Sequence, residues 1–394
     1  MTTTRRSFIK TTGQFAGLAC LGSQTLLIAR AATQKQYKAA IIGRTGRGDY
    51  GHGFDVIFRG LENVSVEAIA DEHPDGLKKA AERSGAKRQY RDYREMLEKE
   101  KPDLVSIAPR QPDCHKDMAL AAVNVGAHIW MEKPMTETVE EADAIVEAAE
   151  RKGVKVAIGH VRKVMPDFRR MKDLLDEGFA GTVLEVRAQG KQDSRVGGED
   201  LIVLGVHDFD FVRWCFGDPL WCFATVLQDG RPATPTDVRK GSEPMLVAGD
   251  TIRSTFAFPK NLQFYWDSVK APDHWNTRHS KRENWVLEIR GTQRIMMFQS
   301  SYGMGYLDSP FPAHKDATAI WKELPEPKSA NVPAHEKHPI KNLIHAIEHD
   351  TQPLCSARDG RWAIEMVAAV YESHKQRRPV ELPLKNRQNP LRHW

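Results

Sequence analysis

The sequence predicts an α/β domain built on a parallel sheet, followed by an α+β domain with a large, mainly antiparallel open sheet. Between Tyr37 and about His160, short β-rich segments alternate with helical ones, as a parallel sheet covered on both faces requires. Longer β-rich segments dominate after His160. With 394 residues, 41% of them apolar, the chain can bury a core in each domain. We place the domains at residues 36–160 and 161–394.

The elements of the first domain follow in order. Its predicted strands are Lys38–Ile42, Val64–Ala70, Leu104–Ala108, His128–Glu132 and Lys155–Gly159. Its predicted helices are Gly76–Ser84, Tyr93–Glu100, Cys114–Val125 and Val139–Lys152. The alternation of the two types supports the parallel arrangement, because parallel strands need long crossover connections.

The second domain has a different order of elements. Its predicted helices are Pro166–Glu177, Leu204–Phe216, Pro339–His349 and Gly360–Lys375. Its predicted strands are Thr182–Gln189, Leu220–Leu227, Thr251–Phe258, Leu262–Ser268, Trp285–Arg290 and Arg294–Phe298. Residues 310–339 are rich in proline, which predicts an irregular surface segment.

The first 31 residues predict an export signal. Arg5-Arg6 is followed by Ser, Phe, Ile and Lys, and this order resembles a twin-arginine signal with cleavage after Ala31. The apolar run that follows, Phe15–Ile28, is short and broken by glycines, so it does not predict a membrane span. We therefore expect a periplasmic or otherwise exported protein. An accidental basic start and a lipoprotein site at Cys20 are the less favoured alternatives.

Charge and cysteine spacing exclude several other classes of protein. The chain has 57 basic and 52 acidic residues, a net charge of +5, but residues 1–31 hold four basic residues and no acid, so the remainder carries +1. A body so near neutrality disfavours nucleic-acid binding. The spacing of the four cysteines after the signal predicts neither a disulfide framework nor a metal site. Four later histidines do not form a metal-binding set either. These residues are Cys114, Cys215, Cys222, Cys355, His274, His279, His335 and His338.

A glycine-rich turn after the first strand predicts a dinucleotide site. Gly43, Gly46 and Gly48 would let the backbone approach a pyrophosphate, whose charge would meet N–H groups at the start of a following helix. Asp71 follows the second strand, where a carboxylate can accept both ribose hydroxyls of an adenosine. The spacing Gly-x-x-Gly-x-Gly is not the commonest one, so a glycine loop without a ligand remains an alternative.

The residues around this turn favour NAD over NADP. Asp71 would repel a 2′-phosphate, because both groups carry negative charge. Arg44 and Arg47 argue in the opposite direction, since either could pair with a phosphate. We therefore expect NAD, with NADP as the alternative.

A lysine follows a later strand in the sequence Glu132-Lys133-Pro134. The carboxyl ends of strands in such sheets form the ligand crevice, so Lys133 is expected to face the cofactor. A lysine there can stabilise a developing alkoxide. Taken alone, Glu-Lys-Pro is more often a surface turn.

The order of these features resembles the glucose–fructose oxidoreductase, inositol dehydrogenase and MocA (Gfo/Idh/MocA) family. The similarity continues through Arg162, Gly197–Trp214 and Asp359–Val380, and so covers essentially the whole chain after the signal. It implies a Rossmann domain, sugar-like or cyclitol-like substrates, and a homodimer or homotetramer joined through the open sheet. The cofactor contacts that it implies, beyond the glycines and Asp71, are Thr45, Arg47, Pro109, Arg110, His115, Glu132 and Lys133.

The resemblance also implies a second catalytic group. Such enzymes usually carry Asp-x-Gly-x-His-x-x-Asp, whereas this chain has Val203 in place of the first aspartate. His207 matches the histidine that moves the substrate's hydroxyl proton, and Asp210 matches the acid after it. On a continuous helix Asp200 would share a face with Val203 and His207, and could partly replace the missing carboxylate. Arg162 is expected to bond substrate hydroxyls, and Lys133, His207 and Asp210 are expected to contact the substrate with it.

These residues predict an NAD(P)-dependent oxidoreductase acting on a hydroxyl of a sugar, glycoside or cyclitol. His207 would take the proton, and Lys133 would stabilise the oxygen. Export predicts a tightly retained cofactor, because little free nicotinamide is found outside the cytoplasm. The first alternative is a redox-neutral glycoside hydrolase, lyase or epimerase working through a transient keto-sugar, which Val203 favours. The second is a noncatalytic sugar- or nucleotide-binding protein, against which Lys133 and His207 argue.

Overall fold

The computed structural model describes residues 35–191, 195–270, 285–300, 303–310, 321–327 and 333–394. The predicted export signal, His274 and His279 lie outside these ranges. None of the helices within the ranges combines the length and the hydropathy that crossing a bilayer requires.

The first domain contains a six-stranded parallel sheet in the order β3-β2-β1-β4-β5-β6. Four successive residues of the central strand β1, from Ala39 to Ile42, are at most 1% exposed, as expected for a strand covered on both faces. The strands are β1 (Tyr37–Ile42), β2 (Val64–Ala70), β3 (Arg88–Tyr90), β4 (Leu104–Ile107), β5 (His128–Met131) and β6 (Val156–Ile158). The helices are α1 (Pro74–Ser84), α2 (Tyr93–Glu100), α3 (His115–Asn124) and α4 (Val139–Lys152). The predicted parallel α/β domain is confirmed. The edge strand β3 was not predicted, because three polar residues give no apolar run.

The helix that we expected directly after the glycine turn is absent from the described chain, and that expectation is wrong. Residues 50–60 form successive turns, and the first α-helix, α1, begins at Pro74. The physical reason lies in the glycines: Gly46, Gly48, Gly51 and Gly53 have φ between +58° and +87°, outside the range of a right-handed helix. The turn therefore offers backbone N–H groups without a helix start behind them.

The second domain contains a ten-stranded sheet in the order β17-β16-β15-β14-β7-β13-β12-β8-β18, with β9 paired to β8. Its neighbouring strands are antiparallel except β7 and β13, which are parallel, so the predicted mainly antiparallel sheet is confirmed. Its strands are β7 (Val183–Gln189), β8 (Trp221–Gln228), β9 (Arg231–Pro232), β12 (Thr251–Ala257), β13 (Gln263–Ser268), β14 (Val286–Gly291), β15 (Ile295–Gln299), β16 (Gly303–Leu307), β17 (Lys322–Glu323) and β18 (Val380–Glu381). A separate hairpin pairs β10 (Arg239–Lys240) with β11 (Leu246–Val247).

The helix predicted at Leu204–Phe216 begins earlier and is not regular. A short α6 (Gly198–Asp200) continues into a π-helical segment, Leu201–Gly205, and then into α7 (Val206–Phe216). A π-helical turn holds more residues than an α-turn, so the α-helical spacing that put Asp200 and His207 on one face does not apply. Such segments occur frequently at functional sites.

Three further helices lie after β6 in the chain, and two of them pack against the first sheet. They are α5 (Pro166–Asp176), α8 (Pro339–Glu348) and α9 (Ala357–Gln376). Ile340 and Leu343 of α8 belong to the same apolar cluster as Tyr37 and Trp130 of the first sheet. The backbone between α8 and α9 also bonds the end of β6, where Ile158 N donates to Cys355 O at 2.7 Å. These contacts connect the two halves around the strand ends that carry the candidate site.

Candidate active site

Lys133 lies at the end of β5, and its side chain reaches the second half of the chain. The residue is 3% exposed. Its Nζ donates to the carbonyl oxygen of Val203 at 3.3 Å and lies 3.5 Å from Oε1 of Glu243. The structure thus joins the predicted lysine to the helical segment that precedes His207. Glu243 was not predicted, because it lies between two-residue strands that give no periodic signal.

His207 lies in the first turn of α7, between two other rings. Its ring centroid is 5.6 Å from that of His160 and 6.1 Å from that of Trp285. Its Nδ1 is buried and has no hydrogen-bond partner among the described residues. Burial is the main cause that holds the pKa of His207 well below its ordinary value, and the positive charge of Lys133 is the next largest cause. The imidazole is therefore neutral near pH 7 and has a nitrogen that can accept a proton.

His160 follows β6 and forms an edge-to-face pair with His207. It is 1% exposed, and within the described ranges neither of its ring nitrogens has a hydrogen-bond partner. Burial, with Lys163 and Lys133 nearby, lowers the pKa of His160 to about 3. Buried polar atoms are nearly always satisfied in folded proteins, so these nitrogens indicate a position for a polar ligand.

Arg162 belongs to a buried network beside His207. Its Nη1 lies 2.5 Å from Oδ1 of Asp208, and its guanidinium carbon lies 3.8 Å from the ring centroid of Trp285. Asp208 also accepts from the indole nitrogens of Trp266 at 3.0 Å and Trp285 at 3.2 Å. Arg162 and Asp208 therefore fix the Trp285 ring next to His207. Contact of Arg162 with substrate remains a prediction. Sequence reasoning did not single out Asp208, whose contacts with Arg162 and the two indole nitrogens the structure shows.

The structure places Asp210 and Asp200 in other contacts. Asp210 is buried, and its Oδ1 lies 2.8 Å from Nζ of Lys163, so it links α7 to the segment after β6. Asp200 accepts from Ser268 Oγ at 2.8 Å and from the backbone N–H of Lys191 at 3.2 Å. Asp200 thus connects α6 to the end of β13 and to the segment after β7. The catalytic role of Asp200 and the substrate-binding role of Asp210 remain predictions.

The carboxylate of Asp71, which we predicted to accept the ribose hydroxyls, is hydrogen-bonded to residues of the glycine turn. It is 2% exposed, and its Oδ2 accepts from Thr45 Oγ1 at 2.6 Å and from Tyr50 Oη at 2.8 Å. The Tyr50 ring covers Gly43, since a Cβ at Gly43 would lie 2.0 Å from Tyr50 Cε1. Burial and the bond to Asp71 raise the pKa of Tyr50, so its hydroxyl remains a donor. Sequence reasoning missed Tyr50.

The chemistry of Asp71 and the space at Gly43 fit the adenosine half of NAD. Asp71 already accepts two hydroxyl groups, which is the chemistry that an adenosine ribose requires. Gly43 leaves space beside the strand end that a side chain would fill, and the Tyr50 ring takes that space. The residues therefore fit the adenosine half of the cofactor once the Tyr50 side chain moves away.

Further residues that we predicted to contact the cofactor lie in the glycine turn and in the loop after β4. Arg47 Nη2 lies 2.6 Å from Asp113 Oδ2, and Arg44 Nη1 lies 3.8 Å from Asp113 Oδ1. Asp113, which was not predicted, offsets the positive charge that would favour a 2′-phosphate. Gly48 packs closely on the backbone of Arg110, because a Cβ at Gly48 would lie 2.5 Å from Arg110 N. Gly46 N donates to Asp49 at 2.8 Å.

Two buried residues connect the loops after β4 and β5. The two ring nitrogens of His115 lie 2.7 Å from the carbonyl oxygen of Pro109 and 3.0 Å from that of Pro134, and the nitrogen that carries the proton donates to its carbonyl. Glu132 accepts from the backbone N–H of Lys133 at 2.8 Å, and its other oxygen contacts His52. These bonds hold Lys133 in place, and direct cofactor contact by Pro109, His115 and Glu132 remains a prediction.

No metal site is evident in the described part of the chain, where no three His, Cys, Asp or Glu side chains form a group that could hold an ion. The four described cysteines are free thiols.

Comparison with known proteins identifies two family matches. Residues 37–160 match the model described as "Oxidoreductase family, NAD-binding Rossmann fold", and residues 168–293 match the GFO/IDH/MocA C-terminal domain. The chain is 20% identical to myo-inositol 2-dehydrogenase of Thermotoga maritima over 363 residues, covering 86% of this chain and 98% of that protein. It is 25% identical to D-apiose dehydrogenase of Paraburkholderia graminis over 376 residues, covering 91% and 92% of the two chains.

Solved structures show the same fold. Levoglucosan dehydrogenase in complex with NADH superposes with a TM-score of 0.70 at 18% identity, covering 89% of this chain and all of the other. An oxidoreductase domain protein from Kribbella flavida gives a TM-score of 0.68 at 21% identity, with 89% and 100% of the two chains covered.

Proposed function

Because this chain belongs to the Gfo/Idh/MocA oxidoreductase family, we propose that it moves a hydride between NAD and a hydroxyl-bearing carbon of a sugar, glycoside or cyclitol. The observation that carries the proposal is the contact of Lys133 Nζ with the carbonyl oxygen of Val203, one helical turn before His207. It brings an amine of the first domain and an imidazole of the second to one crevice. The names of the relatives that act on myo-inositol, D-apiose and levoglucosan support the substrate class.

The residues of the crevice divide the chemistry between them. NAD, when bound, accepts the hydride. The ammonium of Lys133 donates a hydrogen bond to the substrate oxygen and stabilises its developing negative charge. His207, which burial keeps neutral, takes the hydroxyl proton on a ring nitrogen. A buried imidazole with a lowered pKa is a weak base, so the proton leaves as the carbon loses its hydride and the hydroxyl becomes more acidic.

The first domain supplies the cofactor site. Asp71 would hold the adenosine ribose, and the turn from Gly43 to Gly48 would bring backbone N–H groups to the pyrophosphate. Asp71 also disfavours a 2′-phosphate, in agreement with NAD.

Two measurements on purified protein test the proposal. Mass spectrometry of bound nucleotide is expected to find NAD or NADH, and incubation with myo-inositol, D-apiose and levoglucosan is expected to give a keto product from at least one of them. Lys133→Ala and His207→Ala should abolish this product while nucleotide binding persists. An active Lys133→Ala, His207→Ala double variant would refute the assigned roles.

Val203 favours a second candidate function, a redox-neutral cleavage or epimerisation through a transient keto-sugar. An aliphatic side chain occupies the position of the family's usual aspartate, and the crevice instead contains a second neutral imidazole, His160. Transient oxidation acidifies the neighbouring C–H, and a second base could remove that proton. Release of aglycone without net NADH formation supports this function, whereas stoichiometric NADH and keto-sugar support simple dehydrogenation.

We further propose export by the twin-arginine pathway with the cofactor retained through turnover. The support is the segment Thr4–Lys10 and the small-residue site at Ala31. A reporter fused to residues 1–31 should appear outside the cytoplasm, and Arg5→Lys, Arg6→Lys should prevent this. If NADH exchanges rapidly from the purified protein, cofactor retention is refuted and export is not.

We also propose a homodimer or homotetramer joined through the ten-stranded sheet. Leu184 of β7 and Phe223 of β8 are 48% and 40% exposed, and large apolar side chains at such positions are often covered in an assembly. Light scattering tests this, and a monomer at micromolar concentration would refute it.

A further inference from the structure

The hairpin of β10 and β11 places a carboxylate, Glu243, beside the active-site lysine. Oε1 of Glu243 lies 3.5 Å from Lys133 Nζ, and the Glu243 side chain is 12% exposed. Oε2 is buried and has no hydrogen-bond partner in the described part of the chain. A buried carboxylate oxygen normally has a donor, so this atom faces a position where a ligand's hydroxyl would satisfy it.

The hairpin is attached to the helical segment that carries the other catalytic candidates. Glu199 of α6 accepts from Ser242 Oγ at 2.8 Å and from Arg239 Nη1 at 2.7 Å. Glu199 therefore holds the hairpin against the helical run that continues to His207. Glu243 is positioned by this attachment rather than by a long strand or a helix of its own.

We propose that Glu243 is a substrate-binding residue of the active site, with Oε1 paired to the Lys133 ammonium and Oε2 accepting a hydrogen bond from a second hydroxyl, adjacent to the one that is oxidised. This inference rests on the proposed function and narrows its substrate class to vicinal diols. A vicinal diol presents two oxygens side by side, and an adjacent cation and carboxylate can each bind one. Val203 contacts Lys133 only through its backbone carbonyl oxygen, which carries no net charge. Glu243 therefore supplies the negative charge beside the Lys133 ammonium.

The pH profile separates substrate binding from a merely structural role. The charged and titratable groups that act on Glu243 are Lys133, Glu132 and Arg110. Burial raises the pKa of Glu243 above its ordinary value, so acidification neutralises it earlier than an exposed glutamate. We expect kcat/KM for the diol to fall on the acid side as Glu243 protonates. In Glu243→Gln this acid limb should be missing, because the amide does not titrate.

The first experiment pairs the enzyme variant with a substrate variant. The probe is whichever of myo-inositol, D-apiose and levoglucosan has the highest kcat/KM with the holoenzyme, together with its monodeoxy analogues. Glu243→Gln should lower kcat/KM for the parent polyol by about 10-fold, mainly through KM, because a neutral amide replaces the charged acceptor. For the analogue that lacks the contacted hydroxyl, the same substitution should have less than a threefold effect.

Matched variants control for damage to the hairpin. Lys240→Ala removes an exposed side chain from β10 and should keep wild-type kinetics and NAD binding. Glu243→Asp retains the charge on a shorter side chain and should restore part of the loss. Equal effects of Glu243→Gln on the parent polyol and on every deoxy analogue would overturn the substrate contact.

The second experiment tests the pairing with Lys133 without using turnover. Cyanate reacts with neutral amines, so loss of the carboxylate partner should make Lys133 carbamylate at least threefold faster in Glu243→Gln, as followed by peptide mass spectrometry. Exposed Lys240 provides the internal control, because its rate should not change. An unchanged Lys133 rate overturns the pairing. If the wild-type enzyme oxidises no polyol, the proposed function fails instead, and the cyanate result still decides whether the pair exists.

Discussion

Tyr50 gives a quantitative test of how the cofactor enters its site. Its hydroxyl donates to Asp71 at 2.8 Å, and its ring covers Gly43. Adenosine ribose and the Tyr50 hydroxyl therefore compete for the same carboxylate. Tyr50→Phe removes the hydroxyl and leaves the ring, so it weakens the closed turn without opening a cavity.

The size of the effect follows from the bond that is lost. A hydrogen bond to a charged carboxylate contributes about 1.5–3 kcal/mol. NAD binding must break this bond in the wild type but not in Tyr50→Phe, so the variant should bind NAD about 10- to 100-fold more tightly, at about 1.4 kcal/mol per tenfold change. The apoprotein should unfold at a lower temperature than the wild type, because it has lost the same bond.

Titration calorimetry of NAD into apoprotein measures the affinity. Tyr37→Phe is the matched control, since it removes a hydroxyl that donates to Glu348 at 3.0 Å, away from the glycine turn. The control should lose thermal stability but keep the wild-type dissociation constant for NAD. Equal NAD affinity in Tyr50→Phe and the wild type would show that the Tyr50–Asp71 bond does not have to break when the cofactor binds.

Three further predictions concern the crevice. Lys133→Met should lower kcat by about 10²–10³-fold with a smaller change in the Kd for NAD, because the negative charge that Lys133 stabilises develops on the substrate oxygen in the transition state. An unchanged kcat would exclude this stabilising role of Lys133. Asp208→Asn leaves the Arg162 guanidinium buried without its anion and should cost about 3–5 kcal/mol of unfolding free energy in urea; a loss below about 1 kcal/mol would contradict a buried ion pair. The folded-state pKa of His160, about 3, lies below its unfolded value, so the unfolded chain binds the extra proton and stability falls as pH drops from about 6.5 towards 3. His160→Phe should make the pH dependence of the unfolding free energy shallower by about 1.4 kcal/mol per pH unit in this range, and an unchanged slope would show that His160 is not buried in its neutral form.

The positions of site residues could be predicted from the sequence where those residues lie in, or directly after, a regular strand or helix. Lys133 and Asp71 each follow a strand of the parallel sheet whose last three residues are buried, so their place at one edge could be predicted from the alternation of strands and helices. His207 lies in a long apolar helical segment and could be located by its match to the family pattern. The helix predicted after the glycine turn was wrong because glycine spacing alone does not reveal positive φ angles.

The residues that sequence reasoning missed depend on tertiary contacts between irregular segments. Glu243 lies between two-residue strands, and its position depends on the side chain of Glu199. Tyr50 lies in a run of turns, where periodicity gives no information about the direction of a side chain. Asp113 lies in a short 3₁₀ helix and acquires its role through two arginines that are distant in sequence.

The pairing of buried charges argues for an uncharged substrate. Each of three buried cations in or beside the crevice has a carboxylate partner, and both imidazoles are neutral. These pairs are Lys133–Glu243, Arg162–Asp208 and Lys163–Asp210. A sugar acid or sugar phosphate would bring a further negative charge next to Glu243, and no excess cation among the three pairs would offset it. A neutral polyol instead satisfies the hydrogen-bonding nitrogens and the carboxylate oxygen without adding charge, so neutral sugars and cyclitols should be preferred over their acids by the same crevice.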